Sequence, residues 1–249
     1  MSAIITLLTD FGTSDGYVAE IKGRLLRLAP DAGVVDVAHD ISPGDVEAAA
    51  YVLGRTWRAF PEGTVHLAVV DPGVGTQRRA LAAEGGGHRF VAPDNGLLTF
   101  VTDRAPLTAV ALPVPEGAAP TFHGRDVFAP AAAALARGAA PATLGAPAGA
   151  IARLPWSAAR RTATGAVGTV VHVDRFGTLV TNIPGEMIAA AGRVLVGNRA
   201  VPIRRTFGDV APGEAVAFTG SGGTLEIAVR DGRAAAVLGV GRGTNIRIE

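Results

Sequence analysis

The chain has no cysteine, which excludes disulfides, thiolate nucleophiles and thiolate zinc sites. Aromatic residues are scarce at 5% of 249 residues, and charged residues make up only 18%. The 23 basic and 22 acidic residues nearly cancel to a formal net charge of +1. Neither sign gathers into a block, so neither a nucleic-acid groove nor a membrane-surface patch is expected. No apolar run approaches the roughly 20 residues that a spanning helix needs. No basic residue precedes the short apolar stretch at residues 3–8, so a secretory signal would lack its charged region. A soluble chain with a cytoplasmic location is the expectation.

What is present is enough apolar material, 48% of residues, to build a core, over a length that favours two modest domains. The first half alternates β-branched runs with helical patterns, the rhythm of an α/β domain with a largely parallel sheet. Strands are predicted at residues 3–8, 33–38 and 64–70. A helix is predicted over 17–28, where Ile21, Leu25 and Leu28 share a face and Pro30 stops the chain. Ser42 is the expected N-cap of the next helix, with Pro43 in its first turn and Asp45 answering its free amides. A further helix is expected over 126–137, Pro130 being tolerable near its first turn. Residues 138–150 are rich in Ala, Pro and Gly, and 151–164 lose periodicity. From residue 165 short apolar strands alternate with glycine-containing turns, at 167–173, 193–196, 215–218, 225–229 and 245–248. The fold class expected is therefore α/β. It comprises an N-terminal α/β domain over 1–150, a linker over 151–164 and a smaller all-β barrel or sandwich over 165–249.

Four segments carry candidate chemistry. Asp10, in Thr9-Asp10-Phe11-Gly12, ends the first strand and could take the two hydroxyls of a ribose, although on this motif alone a cap or turn role is the better account. In Asp71-Pro72-Gly73-Val74-Gly75-Thr76-Gln77-Arg78, the glycines allow a tight turn that brings Arg78 back toward Asp71. Such a pair is either structural or functional. His123 lies in a loop with Gly124 behind it, a better place for chemistry than a strand interior. Asp174 can neutralise an ammonium group, Phe176 can stack on a flat base, and Thr178 or Asn182 can hydrogen-bond its edge. The same letters also suit an ordinary strand, turn and strand. His66 and His172 are expected to pack within strands, His88 to sit in a hairpin turn, and His39 stands beside Asp40. No two histidines have a zinc-binding spacing, so a metal site has little support.

Together these segments resemble the S-adenosylmethionine hydrolases, or hydroxide adenosyltransferases, whose relatives include fluorinating and chlorinating enzymes. The likeness rests on residues 8–12, 69–75, 122–126 and 174–177, joined by Ala92-Pro93-Asp94-Asn95-Gly96-Leu97-Leu98, all in family order. The resemblance implies that Asp71, Arg78 and His123 hold the attacking water and that Asp10 grips the ribose hydroxyls. It places Asp174 at the substrate amino group and Phe176 beside the substrate. Ser221, Glu226 and Val229 fall in the segment that closes over it. It implies a homotrimer with sites between the first domain of one subunit and the second of its neighbour, and it calls for no cofactor. Two departures stand out: Thr178 replaces an expected Asn, and Gly44 replaces a bulky aromatic near the sugar. The halogenating relatives lack the water-holding trio, so its presence here favours water over halide.

The implied reaction is attack of water or hydroxide at the 5′ carbon of S-adenosyl-L-methionine, releasing adenosine and L-methionine. The sulfonium is already a leaving group, so only the nucleophile must be made. A non-catalytic adenosine or S-adenosylmethionine binder, or a metal-dependent phosphoesterase using scattered carboxylates, are the alternatives from other classes.

Overall fold

A computed structural model describes residues 2–188 and 192–249, which form two compact units, one ending at Leu154 and one running from Pro155 to Glu249. The first unit contains β1 (Ile4–Thr9), α1 (Tyr17–Leu28), β2 (Gly33–Ala38), α2 (Val46–Thr56) and β3 (Val65–Val69). These are followed by β4 (Ala80–Gly85), β5 (His88–Pro93), α3 (Thr99–Thr102), β6 (Thr108–Leu112), α4 (Ala129–Ala136) and β7 (Ala146–Pro147). The sheet order is β2-β1-β3-β5-β4-β6-β7. From β2 to β5 the strands run parallel, and from β5 to β7 they run antiparallel.

Both faces of this sheet are covered, as buried parallel strands require. Alternation along β1 sends Ile5 and Leu7 to one face, where they meet Ile21 and Leu25 of α1 and Leu135 of α4. Leu8 goes to the other, with Leu53 of α2, Trp57 and Leu97. The chain leaves β1 at Asp10 and β3 close to Asp71, so both carboxylates stand at the carboxyl end of the parallel strands, where open α/β sheets present ligands.

Two helix starts differ from expectation. Asp45, rather than Ser42, is the N-cap of α2, its carboxylate accepting from the Ala48 amide at 3.0 Å. Pro43 and Gly44 precede the helix, and Gly44 has φ +75°, a conformation that no helix residue adopts. The helix expected over 126–137 is an α-helix only from Ala129. Before it, Gly124–Phe128 form a widened π-turn in which the Ala129 amide reaches back to the Gly124 carbonyl. Pro130 supplies the reason: lacking an N–H and pressing on the preceding turn, it sits in the first turn of α4, and the irregularity falls just ahead of it. His88 begins β5 and is buried; the hairpin turn is made by Gly86 and Gly87.

The second unit contains β8 (Arg160–Arg161), β9 (Ala166–Val173), β10 (Leu179–Pro184), β11 (Arg193–Val196), β12 (Arg199–Pro202), β13 (Ala215–Thr219), β14 (Thr224–Val229), α5 (Ala234–Leu238) and β15 (Asn245–Ile248). The order is β12-β11-β15-β9-β10-β14-β13, with β8 added beside β9. A bridge between Ile203 and Ala217 brings the two edges together, so the sheet is a nearly closed barrel. Val170, Leu179, Ile183, Val194, Ile227 and Ile246 fill its interior.

Candidate active site

In the first unit, the ends of β1 and β3 and the loop before the π-turn surround a cavity of about 510 Å³. Asp10, Asp71 and His123 all line it. The loop after β3 turns through Asp71-Pro72-Gly73-Val74-Gly75, where Gly75 has φ +76° and a side chain would collide with the Pro120 carbonyl. Only glycine fits there, and the reversal returns Arg78 to Asp71.

The guanidinium of Arg78 meets the carboxylate fork to fork. Its Nε lies 2.9 Å from Asp71 Oδ1 and 3.0 Å from Oδ2, and Nη2 also donates to Oδ2. The two side chains are 9% and 5% exposed, so water screens this pair little. Phe128 lies beneath the guanidinium, 5.2 Å from Cζ to the ring centre. Nη2 of the same arginine lies 3.0 Å from His123 Nδ1. Asp71, Arg78 and His123 are thus brought together through one shared arginine.

This geometry sets the state of His123. A guanidinium only donates hydrogen bonds, so Nδ1 accepts and the imidazole proton is on Nε2. Burial and then the charge of Arg78 push the His123 pKa below its ordinary value, against opposing pulls from Asp71 and Asp126. The imidazole is therefore neutral at pH 7, with its Nε2–H available as a donor. Asp126 holds the preceding loop by accepting the Ala119 amide at 3.0 Å.

Asp10 lies on another wall, its Oδ2 accepting from the Gly44 amide at 2.8 Å. Gly44 adopts φ +75°, a conformation that favours glycine, as its amide meets the carboxylate, and it supplies no aromatic wall. Aromatic lining comes instead from Phe11, Tyr17 and Phe122, whose rings meet edge to face with centres 5.6–6.1 Å apart. These three were not singled out from sequence. Their proximity to Asp10 and His123 along the chain was the available signal. His39 is buried against Thr9, Oγ1 to Nδ1 at 2.8 Å, and its Nε2 lies 3.0 Å from Asp36 rather than being paired with Asp40. His66 joins Thr6 and His88 on the same sheet, and its pKa is pushed down to about 3 by burial and then by His88.

The remaining candidates lie in the second unit. Asp174 caps the β9–β10 turn, Oδ1 accepting the amides of Phe176 at 2.9 Å and Thr178 at 2.8 Å. Phe176 is 76% exposed, whereas Thr178 is buried. Val229 places its side chain in the barrel core. Glu226 is on β14 opposite Val180, and Ser221 is in the turn before that strand. Because Leu179 pairs with Ile227 and Pro184 with Thr224, the Asp174 turn and Ser221 lie at opposite ends of β14. They do not converge on one point. Among the described residues no group of acidic and histidine side chains is arranged to hold a metal ion, and no helix is long and apolar enough to cross a membrane.

Residues 5–145 match the SAM hydroxide adenosyltransferase N-terminal domain, and residues 168–247 match the C-terminal domain of the same family. The chain belongs to the SAM hydroxide adenosyltransferase family. The (R)-S-adenosyl-L-methionine hydrolase of Thermus thermophilus is 46% identical over 98% of both chains. Its namesake from Salinispora tropica is 43% identical over 98% of this chain and 97% of its own. A fluorinase of Nocardia brasiliensis is 36% identical over 54% of each. Among solved structures, a conserved hypothetical protein from Thermus thermophilus superposes with a TM-score of 0.85 at 45% identity, covering 99% of this chain and 100% of its own. An uncharacterized conserved protein from Thermotoga maritima gives 0.90 at 36% identity, covering 98% and 99%.

Proposed function

We propose that this chain hydrolyses S-adenosyl-L-methionine, in the R sulfonium configuration that its relatives' names specify, to adenosine and L-methionine. The observation that carries this reading is the convergence of Asp71 and His123 on Arg78 at the cavity wall. In this mechanism water attacks the 5′ carbon, the C5′–S electron pair passes to sulfur, and the sulfonium leaves as a neutral thioether. Asp71 takes the water proton. The Nε2–H of His123 donates to the water oxygen and holds a lone pair toward the carbon, while Arg78 stabilises the developing hydroxide. A dry cavity strengthens the attraction between that hydroxide and the sulfonium. The rest of the substrate, gripped at the ribose by Asp10, fixes the in-line geometry. Asp174, Phe176, Ser221 and Glu226 are proposed to complete recognition of the adenine and methionyl ends, with the buried Thr178 and Val229 contributing through the strands that carry them rather than by side-chain contact.

Incubation with separated sulfonium epimers in ¹⁸O-water tests this. The expected result is adenosine labelled at its 5′ hydroxyl, unlabelled methionine, and faster turnover of the R epimer. A stable complex without products would make the chain a binder only, and loss of activity with a chelator would favour the phosphoesterase reading. A homotrimer, with a neighbouring copy covering the exposed Phe176, belongs to the same proposal and is checked by light scattering. A cytoplasmic location goes with it and is checked by fractionation.

A further inference from the structure

The turn after β5 presents Asp94 and Asn95, neither of which lines the cavity. Both grip the loop that carries Asp71 and Arg78, one at each of its stems. Asn95 Nδ2 donates to the Val70 carbonyl at 2.9 Å, the peptide that leads directly into Asp71. Val70 is fully buried and lies beyond Thr9–Val69, the last pair that β1 makes with β3, so a side chain there does the work of a ladder bond. The Leu97 amide donates to Asn95 Oδ1 at 3.2 Å, which fixes the orientation of the Asn95 amide.

At the other stem the Asp94 amide donates to the Arg79 carbonyl at 2.9 Å, and Asp94 Oδ2 accepts from Arg79 Nε at 2.8 Å. The Asp94 side chain is only 5% exposed, and its Oδ1 takes the Ala152 amide at 2.8 Å. Arg79 also donates to the carbonyls of Ala148 and Ala150. Two adjacent arginines therefore reach different carboxylates, Arg78 to Asp71 and Arg79 to Asp94. Fixing the second constrains the direction of the first.

We propose that Asp94 and Asn95 are positioning residues for the hydrolysis, holding both stems of the 71–78 loop so that Arg78 meets Asp71 and His123 at once. This rests on the water-holding role given above to Asp71, Arg78 and His123. A displacement on the order of 1 Å at the reacting groups costs about 100-fold in rate, so Asn95→Ala and Asp94→Asn lower kcat about 10- to 100-fold while KM changes less than about two-fold. The acid limb of the pH profile also moves to higher pH, because a drifting Arg78 depresses His123 less while Asp71 and Asp126 still raise it. A purely structural defect would not move that limb. Thr6→Val, which breaks the buried contact to His66, is the control that lowers the melting temperature and keeps kcat.

The full chain is assayed with S-adenosyl-L-methionine beside Asp71→Ala. Turnover retained in Asp71→Ala overturns the water-holding role itself. An inactive Asp71→Ala with unimpaired kcat in folded Asn95→Ala and Asp94→Asn overturns the positioning role alone. So does a loss of kcat in Thr6→Val that matches theirs at equal loss of melting temperature. Should Asn95→Ala fail to fold, Asp94→Asn, which keeps the side-chain shape, decides by the same two readouts.

Discussion

Replacing His123 by glutamine, asparagine and alanine separates a donor from a base. In the structure Nδ1 is occupied by Arg78 Nη2 at 3.0 Å, so the imidazole faces the proposed water with Nε2–H. The glutamine amide reaches the place of Nε2 and restores a donor. The shorter asparagine reaches only the place of Nδ1, pairing with Arg78 and offering the water nothing. Losing a donor aimed at a developing oxyanion costs about 2.7–4 kcal/mol, or about 100- to 1,000-fold in kcat, which is the fall expected for His123→Ala and His123→Asn. His123→Gln is expected to stay within about ten-fold of the parent, roughly 1.4 kcal/mol in barrier height. Adenosine release under saturating substrate at about pH 7.5, where a histidine below its ordinary value is neutral, gives kcat directly. A glutamine variant as slow as the alanine variant would refute the donor role and return His123 to the position of general base.

Asp71→Asn keeps the shape of the fork and removes the proton acceptor, so kcat falls by about two to four orders of magnitude; isothermal titration should find substrate binding nearly unchanged. Because burial and Arg78 hold His123 below its ordinary pKa, the acid limb of kcat/KM lies below pH 6.5, and a midpoint above that value would contradict the electrostatics. His66 titrates near pH 3 when folded and near 6.5 when unfolded, so the unfolded chain binds more protons in that window. Stability is complete above pH 6.5 and falls as pH drops through it, by about 2 kcal/mol at pH 5 from this group alone. Thermal melts of His66→Gln should show a pH dependence flatter by about that amount.

Elements with strong local signals were legible in sequence. The helix over 17–28 has a clean apolar face and a proline stop, and its observed bounds are Tyr17–Leu28. The β4–β5 hairpin is harder to read because Ala80–Gly85 is half alanine and ends in Glu84-Gly85, residues that carry little strand signal. Three of the four parallel strands, β1, β2 and β3, are announced by their β-branched runs, while β5 and the antiparallel extension through β4, β6 and β7 are not. At the site, Asp71 and Arg78 could be paired through the glycine turn, but only the fold shows that His123 joins the same arginine. Asp94 and Asn95 stood in a family segment with no visible task, since nearly all their bonds go to backbone groups and to Arg79. His39 stands beside Asp40 in the sequence, whereas the strand end carries it toward Asp36.

The π-turn after His123 makes chain length a constraint in its own right. Each residue of an ordinary helix turns the chain by about 100°, so removing one residue from Gly124–Phe128 to regularise that turn would swing His123 around the helix axis, away from Arg78. No substitution at the cavity wall could then bring it back. Along this stretch insertions and deletions should be less tolerated than changes of side chain, and a family member with a gap there must handle its nucleophile by other means.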